Sequence, residues 1–235
     1  MDIKILASGS SGNCYRVSDG KTAILLECGI SIQKIRDGLN FKLSEIEACF
    51  ITHEHKDHSK AVKDIARAGI DVYMSCGTAI KLGFGLYSHR INFIGAGSQF
   101  EIGSFTVLPF LTQHDAAEPL GFLICSNITG DKLVFATDTY YIKYRFRGLT
   151  HIMIECNYAN DILNSNIEAG LIPESLKNRL LESHMSLDNC KEFLRANDLS
   201  NVKEIYLMHL SNGNSDEARF KKEIQELTGK QVIVC

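Results

Sequence analysis

The segment Thr52-His53-Glu54-His55-Lys56-Asp57-His58 gathers three of the chain's eight histidines within six residues and adds a carboxylate between the last two. Neutral imidazoles and carboxylates are what Zn²⁺ and similar divalent cations take as ligands. While the chain is still extended, residues two apart point the same way, so His53 and His55 can grip one ion. The turn into a following helix then swings Asp57 and His58 toward a second. The metalloprotease pattern His-Glu-x-x-His is excluded, because the position four after His53 is Asp57. Three more donors sit at comparable places. His114, followed by Asp115, comes after the apolar run Phe105–Leu111; Asp138 follows Leu133–Thr137; His209 follows Ile205–Met208. A lone strand-end histidine is usually a satisfied loop or core residue, but four strand ends presenting His and Asp at one rim are what a two-metal site requires.

These donors need strands to hold them, and the patterning supplies strands. Ile3–Ala7 runs into a Ser-Gly-Ser-Ser-Gly-Asn turn at 8–13, and Cys14–Val17 and Ala23–Glu27 flank the hairpin signal Asp19-Gly20. Ser31–Leu39 reads as a short helix and Ala48–Thr52 as a buried strand. Lys60–Ala68 has helical spacing and stops at Gly69. Further strands are expected near 71–75, 91–94, 104–111, 120–126, 132–137 and 151–155. The last third is more helical: Pro173–Glu182, Leu187–Ala196 and Ser215–Leu227 flank a strand at Glu204–Met208. No repeat, low-complexity run or linker interrupts the 235 residues, so one domain over 1–235 is expected, an α/β sandwich of two sheets with helices outside.

Composition bounds the function. A net charge of -3 gives no global attraction to nucleic acid, so any such binding must rest on a local patch. No window approaches the roughly 20 apolar residues that span a bilayer, and the N-terminus reads as a strand rather than a signal peptide. Eight scattered cysteines, with no Cys-x-x-Cys pair, fit reduced thiols in a cytoplasmic protein.

The donor segment, His114, Asp138 and His209 together resemble the five ordered motifs of the metallo-β-lactamase superfamily. The resemblance implies a four-layer αββα sandwich, one ion on His53, His55 and His114, another on Asp57, His58 and His209, and Asp138 bridging them. Zn²⁺ is the first expectation, with Mn²⁺ or Fe also accepted by a mixed His/carboxylate set. One position departs from the pattern: Glu27 stands where the first motif usually carries Asp, a group that orients the site from behind. Ile5–Asn13, Glu155-Cys156-Asn157, Leu176–Arg179 and Ser183–Ser186 are similar to the WalJ/YycJ type, small exonuclease-like members. His184-Met185-Ser186, His209-Leu210-Ser211 and Glu54 are also similar to RNase Z.

The function implied is metal-dependent phosphodiester hydrolysis by a nuclease, with 5′-exonuclease action on DNA the specific form. The alternative is a hydrolase of a small ester, thioester, lactone or cyclic phosphodiester. Asp57 would orient the nucleophile, and His184, held by Glu54, would protonate the leaving oxygen; a helix-capping role for His184 is the plain alternative. Ser186, Ser211 and Asn157 are candidate substrate contacts, although Ser186 serves equally as an N-cap. The 8–13 turn reads as a phosphate cradle or simply a link between strands. Tyr140–Arg147, aromatics interleaved with cations, reads as a base-stacking track or as a surface segment packing its rings inward.

Overall fold

The structure, a computed structural model, describes residues 1–85 and 88–235. It divides into two units, residues 1–111 with 116–131, and residues 112–115 with 132–235.

In the first unit, β1 (Asp2–Ala7), β2 (Cys14–Ser18) and β3 (Ala23–Leu26) are antiparallel neighbours, and β4 (Ile46–Phe50), β5 (Asp71–Met74) and β6 (Ile91–Phe93) continue the same sheet in parallel. The antiparallel pair turns where the Asp19 carboxylate accepts the N–H groups of Lys21 and Thr22 and Gly20 takes a positive φ of 93°. Parallel neighbours need crossovers; α1 (Ile32–Gly38), α2 (Lys56–Ser59) with α3 (Val62–Arg67), and α4 (Cys76–Lys81) supply them. Leu25, Ile35, Cys49, Ile51, Ile65 and Val72 are buried between these helices and the sheet. A further antiparallel run, β7 (Phe100–Ile102), β8 (Phe105–Leu111) and β9 (Leu120–Ser126), completes the unit. Asp19 ties the hairpin to it, accepting from Ser104 Oγ at 2.6 Å and Ser126 Oγ at 2.7 Å. Burial works against this charge, but the bonds from Ser104, Thr22, Ser126 and Lys21 outweigh it and hold the carboxyl down at about 2.

In the second unit, β10 (Lys132–Ala136), β11 (His151–Glu155), β12 (Glu204–Met208) and β13 (Gln231–Val234) are all parallel. Every residue of β11 is buried, as a strand covered on both faces should be. Helices α5 (Asn160–Glu168), α6 (Glu174–Ser183) and α7 (Leu187–Ala196) connect β11 to β12, and α8 (Glu217–Thr228) connects β12 to β13. Ser186 caps α7, and α8 runs from an Asp216 cap to Gly229 in the left-handed region.

The expected strands at 120–126, 151–155 and 204–208 and the helix at 187–196 coincide with the observed bounds, while the helix read at 60–68 begins later, at Val62. Besides a 3-10 turn at Leu43–Glu45, four elements were not anticipated: α4, α5, β7 and β13. Three of them are short, and α5 buries only Leu163, so its apolar periodicity is faint. The eight cysteines are free thiols. Among the described residues, no helix is long and apolar enough to cross a membrane.

Candidate functional site

The donor segment leaves β4 through the buried pair Ile51 and Thr52. The His53 and His55 ring centroids lie 4.6 Å apart, and those of His53 and His58 lie 4.2 Å apart. His55 is still extended, at φ -58° and ψ 145°, and occupies the position before α2, whose first turn carries Asp57 and His58. The switch from extended chain to helix within the segment therefore occurs where the spacing required it.

Support for this segment comes from the first turns of the chain. Asn13 donates its amide to the Asp57 carbonyl at 2.7 Å, and its Nδ2 lies 3.2 Å from His58 Nε2. Gly9 N–H donates to Asn13 Oδ1 at 3.0 Å. Cys28 N–H donates to the His58 carbonyl, and Gly29 passes so close that an added Cβ would meet the Asp57 oxygen at 1.6 Å. The 8–13 turn is thus a brace for the donor segment, a role beyond the two weighed for it. Glu27, fully buried at φ 64°, accepts from Thr52 N–H at 3.3 Å and approaches His58 Nδ1 at 3.5 Å. Burial pushes its carboxyl up, against the pull of His58 and Thr52. The longer side chain therefore reaches the imidazole that it would be expected to orient.

In the second unit, Asp138 and His209 follow β10 and β12 in strained left-handed conformations, at φ 47° and 54°. His114 Nε2 lies 3.6 Å from Asp138 Oδ2, and its Nδ1 is 3.0 Å from the Ser183 carbonyl. Burial lowers the His114 pKa, only partly offset by Asp138 and Glu155. His184 stacks on His209 with centroids 5.4 Å apart.

The residue that joins this group is Glu155, the last of β11. Its Oε1 is 2.6 Å from His184 Nδ1 and 3.3 Å from His209 Nδ1, and its Oε2 accepts the N–H groups of Thr139 and Met185 at 2.9 and 3.2 Å. Burial alone would raise the Glu155 pKa, but the charge and hydrogen bond of His184 bring it below the usual range. Burial likewise disfavours a charged His184, and Glu155 more than restores it. Ligand atoms of Asp138, Glu155, His184 and His209 all lie within 4.8 Å of one another. This is a donor set that divalent cations accept.

Two expectations change here. Glu155, not Glu54, holds His184; Glu54 Oε1 instead accepts from Ala117 N–H at 2.9 Å. The reason is chemical: His184 Nδ1 needs a buried acceptor, and β11 ends on one. Asn157 and Ser186 also have internal work. Asn157 Nδ2 donates to the His209 carbonyl at 2.7 Å, and Ser186 Oγ accepts from Asn189 N–H at 3.1 Å as the cap of α7. Ser211 is half-buried, its Oγ accepting from Asn214 N–H at 3.3 Å. The side chain of Leu176, in the motif 176–179, lies outside the described residues. Glu155 was legible only as part of a motif; an acidic residue closing an apolar strand, as at Asp138, was the available signal.

Residues 22–210 match the model of the beta-lactamase superfamily domain. The chain is 32% identical over 227 residues to exodeoxyribonuclease WalJ of Streptococcus pneumoniae D39, covering 90% of this chain and 82% of the relative. It is 28% identical over 251 residues to exodeoxyribonuclease YycJ of Bacillus anthracis, covering 99% and 89%. The crystal structure of YhfI from Bacillus subtilis, a metallo-beta-lactamase fold protein, superposes with a TM-score of 0.74 at 15% identity, covering 99% of this chain and 95% of that one. The α/β metallo-β-lactamase fold expected from the motifs is therefore the fold observed.

Proposed function

The chain belongs to the beta-lactamase superfamily, and from that premise we propose that it is a metal-dependent phosphodiesterase acting as an exonuclease on DNA. The observation that carries the proposal is Glu155 holding His184 beside Asp138 and His209, a proton donor fixed against a set of metal ligands. The names of the two relatives support the substrate class.

Two divalent ions, Zn²⁺ first and Mn²⁺ or Fe as alternatives, would be held by His53, His55, Asp57, His58, His114, Asp138 and His209. When bound, they supply a polarised phosphoryl oxygen and a water of lowered pKa. The chain's own residues do the rest. Glu155 anchors Nδ1 of His184, which leaves Nε2 to face substrate and give its proton to the leaving oxygen. Against the effect of burial, the Glu155 charge favours the protonated form of that imidazole. Glu27 and Asn13 steady His58, and Asp57, besides helping to hold an ion, would orient the attacking water. Ser211 is left as a contact for phosphate oxygens.

Hydrolysis of bis(p-nitrophenyl) phosphate and of end-labelled DNA, each with Zn²⁺ and with Mn²⁺, tests this. Asp57→Ala is expected to abolish metal-dependent turnover of both. His184→Ala is expected to lower kcat by about 10²–10⁴-fold, the usual contribution of a general acid. Turnover of neither substrate by the metal-loaded parent would overturn the proposal.

A further inference from the structure

Between Asp138 and β11, residues 140–147 (Tyr-Tyr-Ile-Lys-Tyr-Arg-Phe-Arg) form no helix or strand, yet they are held firmly. Thr139 N–H is bound by Glu155, and Thr139 Oγ1 donates to the Tyr141 carbonyl at 2.9 Å. Asn189 of α7 donates to the Tyr140 carbonyl at 2.8 Å, and Phe146 N–H donates to Asn197 Oδ1 at 2.7 Å. The side chains alternate. Ile142 and Phe146 are buried, Phe146 against Phe193 of α7 with centroids 6.3 Å apart. Tyr141, Lys143, Arg145 and Arg147 are exposed. The inward-packing reading of this segment holds for Ile142 and Phe146, while its cations face solvent.

Three exposed cations within five residues make a local positive patch on a chain whose net charge is -3. None of Lys143, Arg145 and Arg147 is ion-paired among the described residues; Lys143 lies only over the Tyr144 ring, 5.5 Å from its centroid. Between this strap and α7 is a cavity of about 220 Å³ whose walls include Tyr141, Tyr144, Arg145, Glu192 and Phe193. It is smaller than the roughly 300 Å³ of an ordinary small-molecule pocket, so it suits one planar ring rather than a whole metabolite. Glu192 repels phosphate and offers an acceptor to an exocyclic amine, which favours a base inside and its phosphates outside.

We propose that the strap is the track for single-stranded DNA, with Lys143, Arg145 and Arg147 pairing backbone phosphates and Tyr141 stacking a base at the mouth of this cavity. It rests on the phosphodiesterase reading for its purpose. The strap begins two residues after Asp138, and Thr139 between them is hydrogen-bonded to Glu155, so a strand lying along it is delivered to the reacting groups.

Binding of a fluorescein-labelled oligo(dT) with a hydrolysis-resistant phosphorothioate backbone, followed by anisotropy across a salt series, tests it. Replacing Lys143, Arg145 and Arg147 together by Ser is expected to weaken binding at least tenfold at low salt. The plot of log affinity against log salt should become shallower by about 2, since each lost single-strand phosphate contact removes about 0.7. Tyr141→Ala should cost roughly five- to hundredfold, the range for one base stacked on an aromatic ring. The charge-preserving triple K143R/R145K/R147K should restore the salt slope, which a merely structural role would not predict. Unaltered affinity and slope in the Ser triple would overturn the track. In turnover, the ratio of DNA to bis(p-nitrophenyl) phosphate hydrolysis should fall at least tenfold in the triple. Failure of the parent on both substrates would remove the phosphodiesterase reading alone, because the binding series still decides the strap.

Discussion

The two units hold their donors in opposite ways. In the first, His53, His55, Asp57 and His58 come from one six-residue segment, and their support is largely backbone: Asn13 and Cys28 amides on the Asp57 and His58 carbonyls, with Gly29 in close passage. In the second, His114, Asp138, His184 and His209 come from four separate places in the chain, and one buried carboxylate, Glu155, reaches two of them directly. A local motif needs its backbone path kept clear. A dispersed one needs a common anchor, and it fails as a unit when the anchor is lost.

The sharpest way to break this contrast is Glu155→Ala. It leaves His184 and His209 without their carboxylate and two buried N–H groups without an acceptor. We expect kcat to fall about 10³-fold or more, since both orientation and charge of His184 are lost, and stability to fall by about 3–5 kcal/mol, as for a broken buried pair. Steady-state kinetics and urea unfolding read the two separately, and Glu155→Gln, which keeps the shape, should recover stability more than rate. Gly29→Ala tests the other side. An added Cβ 1.6 Å from the Asp57 carbonyl oxygen forces the backbone apart; the expected cost is about 1–3 kcal/mol, as for overpacking, with metal affinity reduced. Calorimetry and metal titration check it, and an unaltered affinity would show that the close passage does not position Asp57.

The smallest effect sharpens the comparison from outside both donor sets. Asp19→Asn removes a carboxylate held at about 2 by Ser104, Thr22, Ser126 and Lys21, leaving turnover unchanged. Its folded pKa lies below the ordinary value of about 3.9, so the charge stabilises the fold above about pH 4. That contribution is lost as pH falls toward 2. After allowance for solvent screening, the parent should exceed the variant by about 1 kcal/mol at pH 7. Unfolding midpoints at pH 7 and pH 3 should show the gap narrowing in acid; a gap that widens would contradict the assignment.

Much of this was legible in one dimension. The strands at 120–126, 151–155 and 204–208 and the helix at 187–196 announce themselves through periodicity and the Ser186 cap. The segment 53–58 could be read because its donors are neighbours in the chain and the extended-to-helical switch follows from spacing. Glu27 could be noticed only as a departure. That its extra methylene brings it within 3.5 Å of His58 Nδ1 is a fact of packing.

Residue types and their order were enough to single out the candidate ligands, to outline most of the strands, and to indicate the superfamily to which the chain belongs. Which acid serves which histidine was decided only in three dimensions. Glu54 and Glu155 are alike in composition and both sit near histidines in sequence. Yet Glu54 accepts from Ala117 N–H, while Glu155 is fully buried among the partners of β11. The physical reason is that a carboxylate's role depends on its burial and on the donors that converge on it. For Glu155, those donors come from positions 139, 184, 185 and 209, which only the folded parallel sheet brings together.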